Sequence, residues 1–438
     1  GPALVAPSPA DQRSAMTRWI EAENVGEILH AGMTVFVAGA TAEPREILQA
    51  LASRGQCCAG VRFVSVSVPG MNGVDFSAFH PQASSTAFLA TAENRKSIAA
   101  SRVDFIPLHY SAIYSYLERE MKIDAVLLQL PPAGSEGAVC LGISADFTPA
   151  VLDKAGLVIG EINQRQPAPT DSPRIPLARL DYAIACDRPV PALASAAISD
   201  AARLIGRHVS ELIEDGDCIQ IGIGAIPDAV MDCLSGKNDL GIHSGMISDG
   251  VMALVQAGNI TGSRKSLDKG RIVSGVTLGS QRLIEWAGEA PQLSVRPVAY
   301  THDSGVIRRI DNFVSINSAL EVDLFGQVNA DMLAGRQFSG TGGAVDMMRG
   351  AALSRGGRSI IALGATADGG KVSRIVAALA PHTATTALRT DIDYVVTEYG
   401  ARRIRHLPVM ARAQALIEIA HPDFRAQLRD QWSESTRG

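Results

Sequence analysis

The 438-residue sequence has no block of lysines and arginines, no long apolar run and few aromatic residues, 5% of the total. Nucleic-acid binding needs a basic stripe that displaces counterions, and a formal charge of −5 with scattered basic residues offers none. No apolar run reaches the roughly 18 residues of a membrane span, and no charged stretch followed by an apolar signal core opens the chain. The expectation is a cytoplasmic protein with no nucleic-acid or membrane partner. The six cysteines, Cys57, Cys58, Cys140, Cys186, Cys218 and Cys233, follow no metal-ligand spacing. They read as free thiols used as small core residues, and no metal site is expected. Gly1-Pro2 looks like the remnant of a cleaved expression tag.

What is present fits an ordinary globular protein: 46% hydrophobic and 19% charged residues, with 41 glycines to turn the chain between elements. The length exceeds one ordinary core and favours two domains, placed at residues 1–195 and 196–438. Short apolar runs at 33–37, 63–68, 125–130 and 157–160, and again at 271–273, 297–300, 359–363 and 394–397, read as strands covered on both faces. Helical stretches separate them, including 408–420, where the proline suits a first turn. This alternation predicts an α/β fold. Residues 164–179 carry four prolines and read as a long excursion. Val25, Glu27 and Gly32, ahead of one strand, match Val209, Glu211 and Gly216, ahead of another, at a constant offset of 184. That spacing points to an internal duplication.

Ligands of such folds bind at the carboxyl ends of strands, where the glycine-rich turns fall. Gly222-Ile-Gly-Ala-Ile-Pro227 follows a predicted strand, and amides at the next helix start suit a phosphate, pantetheine or carboxylate; tight packing alone also explains such a turn. Gly340-Thr-Gly-Gly343 allows close approach of a ligand and can present amides to a developing oxyanion. Glu321 and Asp323 share one face of a predicted strand. His243 and Ser244 invite a nucleophile-and-base reading, but neighbours on a strand point apart and no third group is evident.

Together with Leu130-Pro-Pro132, Leu141-Gly-Ile-Ser144, residues 242–250, Ile316-Asn-Ser-Ala-Leu-Glu-Val-Asp-Leu324, Val396-Thr-Glu-Tyr-Gly400 and His421-Pro-Asp-Phe424, these motifs carry a resemblance over nearly the whole chain. The sequence resembles the acetyl-CoA hydrolase/transferase family of CoA transferases. The resemblance implies two similar CoA-transferase-type α/β domains related by internal duplication. It also implies an acyl-CoA cleft between them, coenzyme A as substrate without a metal, a small carboxylate or other acyl acceptor, and a homodimer. The N-terminal domain would face the acyl group and acceptor, and the C-terminal domain would hold CoA and the nucleophile loop. CoA contacts carry over to Gly222, Ile223, Gly224, Ala225, Ile226, Leu320 and Gly343. His243, Glu321, Gly342 and Asn317 take supporting positions.

The family's nucleophile is a glutamate in a His-Ser/Thr-Glu motif, and this chain reads His243-Ser244-Gly245-Met246. Three explanations stand open: an engineered knockout, a natural divergent member, or replacement of the lost group by Glu321 or another acid. The expected activity is CoA or acyl transfer from a short-chain acyl-CoA. The alternatives are a hydrolase, an acyltransferase to an amine or hydroxyl, and an acyl-CoA-binding protein without chemistry. A second departure lies at residues 163–172, where the family usually has a glycine before the Asp171-Ser172 pair and no extra prolines. That region faces the acyl pocket in the family.

Overall fold

A computed structural model describes residues 16–437; Gly1-Pro2 lies outside them. The first half builds an eight-stranded sheet from β1 (Arg18–Trp19), β2 (Thr34–Val37), β3 (Arg62–Ser65), β4 (Ser84–Ala87), β5 (Val103–Phe105), β6 (Ala125–Leu130), β7 (Leu157–Asn163) and β8 (Tyr182–Cys186). The order across it is β1-β8-β7-β6-β2-β3-β4-β5, all parallel. The second half builds another from β9 (Cys218–Gln220), β10 (Gly241–Ile247), β11 (Ile272–Thr277), β12 (Leu293–Val295), β13 (Phe313–Ser318), β14 (Arg358–Ala362), β15 (Tyr394–Thr397) and β16 (Gly400–Arg403). Its order is β12-β11-β10-β9-β13-β14-β15-β16, parallel except for the last pair.

Seven strands of each sheet follow one path. The first strand lies in the middle, the next three step outward on one side, and three more step outward on the other. Thr34 opens β2 and Cys218 opens β9, so the strands themselves repeat at the 184-residue offset seen in the helix-to-strand motif. The central strands are hydrophobic without alternation because helices cover both faces; all six residues of β6 are buried. One buried apolar cluster runs from Phe36, Val64 and Phe88 of the first half to Ile219, Ile247 and Val314 of the second. All six cysteines are free thiols, and Cys58, Cys140, Cys186 and Cys218 are buried.

Two predicted strands need correction. Residues 297–300 form no strand: Pro297 caps the short helix Val298–Thr301, and the edge strand of that region is β12. The apolar Val-Ala-Tyr run was ambiguous by periodicity, and the proline's fixed φ suits a helix entry. The strand predicted at 63–68 ends at Ser65, because its neighbours β2 and β4 end opposite it at Val37 and Ala87 and leave no partner for residues 66–68. The helix predicted at 408–420 is Val409–Glu418, with Pro408 as its cap.

The excursion at 164–179 stays outside the main sheets, as its prolines require, and part of it, Arg174–Pro176, pairs with Ala138–Cys140. It also joins the halves. Asp171 accepts hydrogen bonds from Arg271 Nη2 (2.8 Å), Arg296 Nη1 (2.8 Å) and Ser294 Oγ (2.5 Å). Burial opposes ionisation of Asp171, but the bonds from Arg296, Ser294 and Arg271 outweigh it and bring its carboxyl down to about 2. With a depressed folded value, this contribution is complete above the unfolded value near 4 and is lost as pH falls through about 2. Charge-assisted hydrogen bonds are worth ~1.5–3 kcal/mol each, but 36% of this side chain is exposed and screening reduces that. Asp171→Ala is therefore expected to cost about 2 kcal/mol by urea unfolding at pH 7, and only a small fraction of that at pH 2.

Candidate active site

The carboxyl ends of β9, β10, β11 and β13 open on one cavity of about 240 Å³. Its floor is Gln220 to Ile223, Gly245 and Asn317, and the start of the helix Ala344–Leu353 closes one side with Thr341, Gly342 and Gly343. The first half supplies Val68, Pro69, Tyr110 and Asp146. These walls are tied to one another by backbone bonds between the halves: Tyr110 N donates to Gly342 O (3.1 Å), Ala145 N to Gly275 O (2.9 Å) and Val298 N to Asp146 O (3.0 Å). Asp346, in the first turn of one helix, also accepts from the backbone N (3.0 Å) and the hydroxyl (2.5 Å) of Ser111 at the start of another.

A larger cavity of about 560 Å³ continues from the first and shares Pro69, Ile223, Met246 and Leu278 with it. Gly224, Asp228, Asp232 and Asp249 border it. Burial, with Asp232 and Asp249 nearby, pushes the Asp228 carboxyl up. Neither lining includes a lysine or arginine, so the walls favour neutral groups over phosphates.

Gly222, Ile223, Asn317, Gly342, Gly343 and Gly245 all meet at the smaller cavity. Asn317 and Gln220 exchange side-chain hydrogen bonds at 3.1 and 3.2 Å, which fixes both amides on the floor. Ala225 and Ile226 lie in the first turn of the helix Ala225–Asp232, outside both linings. Glu321 opens a strand of a separate three-stranded sheet, with Leu320 just ahead of it, and accepts from Asn329 Nδ2 (2.9 Å) there; neither residue lines the cavity. Asp323 is fully buried there and accepts from the Gln327 backbone and side chain, both at 2.9 Å.

His243 and Ser244 point to opposite faces of β10, as alternation along a strand dictates. Ser244 Oγ donates to Ile221 O (3.1 Å), whereas His243 Nε2 meets Thr301 O at 3.0 Å. Burial, with Lys265 adding, lowers the His243 imidazolium to about 4, and its Nδ1 is buried without a partner.

Among the cavity residues with no place in the sequence reading are Tyr110, Asp146 and His302. The His302 ring lies between two glycines. A methyl group added at Gly245 would come within 2.7 Å of its Cε1, and one at Gly343 within 2.3 Å of its Nε2. The Tyr110 ring packs beside it, centroids 5.3 Å apart. Burial, then His243, hold the His302 imidazolium down at about 3. Burial raises the Asp146 carboxyl to about 7. A lone histidine and a lone aspartate carry no sequence signal; only the fold brings them over Gly245.

Among the described residues, Glu46, Glu161 and Cys186 place ligand atoms within 4.8 Å of one another. They sit in the first half, where Glu161 Oε1 accepts the Glu46 amide (2.7 Å) and Arg188 pairs with Glu46 (3.1 Å). None of the three borders either cavity over Gly245.

Residues 8–194 match the family model of the acetyl-CoA hydrolase/transferase N-terminal domain, and residues 279–432 that of the C-terminal domain. The chain is 37% identical to a 4-hydroxybutyrate coenzyme A transferase of Clostridium kluyveri, over 94% of this chain and 96% of that one. It is 35% identical to a butyryl-CoA:acetate CoA-transferase of Anaerostipes caccae over 74% and 75%. The crystal structure of RipA from Yersinia pestis superposes with a TM-score of 0.90 at 30% identity, covering 95% of this chain and 97% of that one. A cavity walled by both halves at strand ends, in a chain matched over both halves, has one consistent assignment: the chain belongs to the acetyl-CoA hydrolase/transferase family of CoA transferases.

Proposed function

We propose that the protein moves coenzyme A from a short-chain acyl-CoA to a small carboxylate acceptor, with the thioester carbonyl in the cavity over Gly245. The supporting observation is that cavity: about 240 Å³, at the carboxyl ends of four strands, walled by Gly222, Gly245, Gly342 and Gly343 where backbone can approach a ligand closely. The pantetheine arm extends past Ile223 and Gly224 into the larger cavity, and the phosphates stay toward solvent because its wall carries Asp228, Asp232 and Asp249. The remaining CoA contacts, Ala225, Ile226 and Leu320, are carried by the family resemblance. That resemblance also supports a cytoplasmic homodimer, no metal in the reaction and a division of the chain near residue 195.

Gly245 offers no carboxylate, and Glu321 lies outside the cavity lining. The exchange therefore runs without a glutamyl-CoA intermediate. An oxygen of the bound acceptor carboxylate attacks the thioester carbonyl, the C–S bond breaks, and CoA leaves as thiolate beside a mixed anhydride. The thiolate then attacks the acceptor's carbonyl, releasing the donor acid and the new acyl-CoA. The anhydride conserves the thioester's energy provided the site is closed to water.

Both substrates must be bound together, so initial rates with butyryl-CoA and acetate varied in turn should give intersecting lines. Isotope-labelled CoA should not exchange into butyryl-CoA unless acetate is present. Parallel lines, or exchange without acetate, would show an acyl-enzyme and overturn this order of events. Thiol release with no acyl-CoA product from any carboxylate would overturn the transferase reading itself.

A further inference from the structure

We propose that His302 is a catalytic residue of this transfer, its Nε2–H donating to the thioester carbonyl oxygen as that oxygen takes on charge. The assignment rests on the reading of the cavity as an acyl-CoA site.

Thr301 is the neighbour that bears on which ring nitrogen carries the proton. His302 Nδ1 lies 2.8 Å from Thr301 Oγ1, whereas the other acceptor within reach of that hydroxyl, Pro297 O, lies 3.5 Å away. We place the hydroxyl hydrogen in the shorter bond, to Nδ1, rather than in the longer one to Pro297 O, and so place the imidazole proton on Nε2. Thr301 is itself held, since its carbonyl meets His243 Nε2 at 3.0 Å. Nε2 then faces Gly245 and Gly343, where added methyl groups would stand 3.0 and 2.3 Å from it. Two glycines make the room for the ring, and they border the cavity at the same point.

The environment suits a donor better than a base. Burial and His243 keep the ring uncharged through the physiological range, with the imidazolium appearing only near about 3. An uncharged imidazole in such a site accepts a proton poorly at neutral pH but keeps its N–H. A donor fixed in advance, away from water, stabilises an oxyanion at little reorganisation cost. In the step itself, the acceptor oxygen bonds to the carbonyl carbon and the C=O electron pair moves onto oxygen. The N–H···O⁻ bond shortens without proton transfer. Collapse then expels the CoA thiolate, and the imidazole returns unchanged.

The experiment compares wild type, His302→Leu, which keeps apolar volume without a donor, and His302→Gln, whose amide N–H reaches toward the Nε2 position. Butyryl-CoA with ¹³C at its carbonyl is bound to each protein, without acceptor, and its C=O stretch is read by infrared difference spectroscopy. Calorimetry confirms binding. Expected are a lowered C=O frequency in wild type and His302→Gln and its loss in His302→Leu. With acetate added, kcat should fall roughly 100- to 1,000-fold in His302→Leu, with KM for butyryl-CoA little changed. His302→Gln should recover a tenth or more of the wild-type kcat.

Bound butyryl-CoA with an unshifted carbonyl in wild type, or an undiminished kcat in His302→Leu, would overturn the assignment while leaving the transferase reading intact. A His302→Gln variant as inactive as His302→Leu would also overturn it, since an N–H returned to that position would then restore nothing. Failure of wild type to bind butyryl-CoA would overturn both.

Discussion

Gly245→Glu is expected to weaken the protein and to leave it without glutamyl-CoA chemistry. The first added carbon already falls 2.7 Å from His302 Cε1 and 3.0 Å from Nε2. The ring has little room to retreat, with Gly343 against Nε2, Thr301 Oγ1 bonded to Nδ1 and the Tyr110 ring alongside. Overpacking of this kind costs about 1–3 kcal/mol. Urea unfolding should show the loss, and labelled CoA should still fail to exchange into acyl-CoA without acceptor. Gly245→Glu combined with His302→Ala should regain much of the lost stability, because the pair is coupled through one volume. If Gly245→Glu alone kept full stability and gained acceptor-independent exchange, the two residues would not be fitted to each other. The fit bears on the explanations for Gly245. The imidazole of His302 occupies the place that the first side-chain carbon at this position would take.

The second large effect is a pH dependence centred on Asp146. Burial raises its carboxyl from the ordinary range to about 7. Below the unfolded value near 4 it is protonated in both states and costs nothing. As pH rises from 4 to 7 the unfolded chain gives up this proton while the native state holds it, so stability falls, and the loss is complete above 7. A gap of about three pH units corresponds to roughly 4 kcal/mol at most. Burial raises Glu161 to about 7 as well, so the wild-type curve mixes the two. The difference between wild type and Asp146→Asn isolates Asp146: the variant should match wild type at pH 4 and exceed it by several kcal/mol at pH 8.5 in urea unfolding. Activity should follow the same group. An ionised Asp146 on the cavity wall repels an incoming carboxylate, so the KM for acetate should rise above pH 7 in wild type and stay flat in Asp146→Asn. Equal KM profiles would show that Asp146 faces no anionic substrate.

Much of the architecture was legible because strands buried on both faces declare themselves as apolar runs. Residues 125–130 and 394–397 are strands with those bounds, and the 184-residue offset reappears in the two sheets. Residues 297–300 misled because a short apolar run fits a strand or a buried helical turn equally well, and only the place of Pro297 between β12 and the His302 segment decides. β7 runs on through Glu161 and Asn163, beyond the apolar stretch, because both polar side chains are buried with partners from other segments.

By itself, the sequence determined the family, the α/β class and the glycine turns at strand ends, since motif order and hydrophobic pattern are local properties of the chain. It also set Ser244 apart from His243, because adjacent strand residues face opposite ways. Only the tertiary structure decided what surrounds Gly245. Tyr110 and Asp146 come from the first half and His302 from the end of a short helix, 57 residues beyond Gly245 in the sequence. What brings them together is the packing of loops and helix ends of the first half over strand ends of the second sheet, and a cavity formed by distant segments leaves no pattern in any one of them.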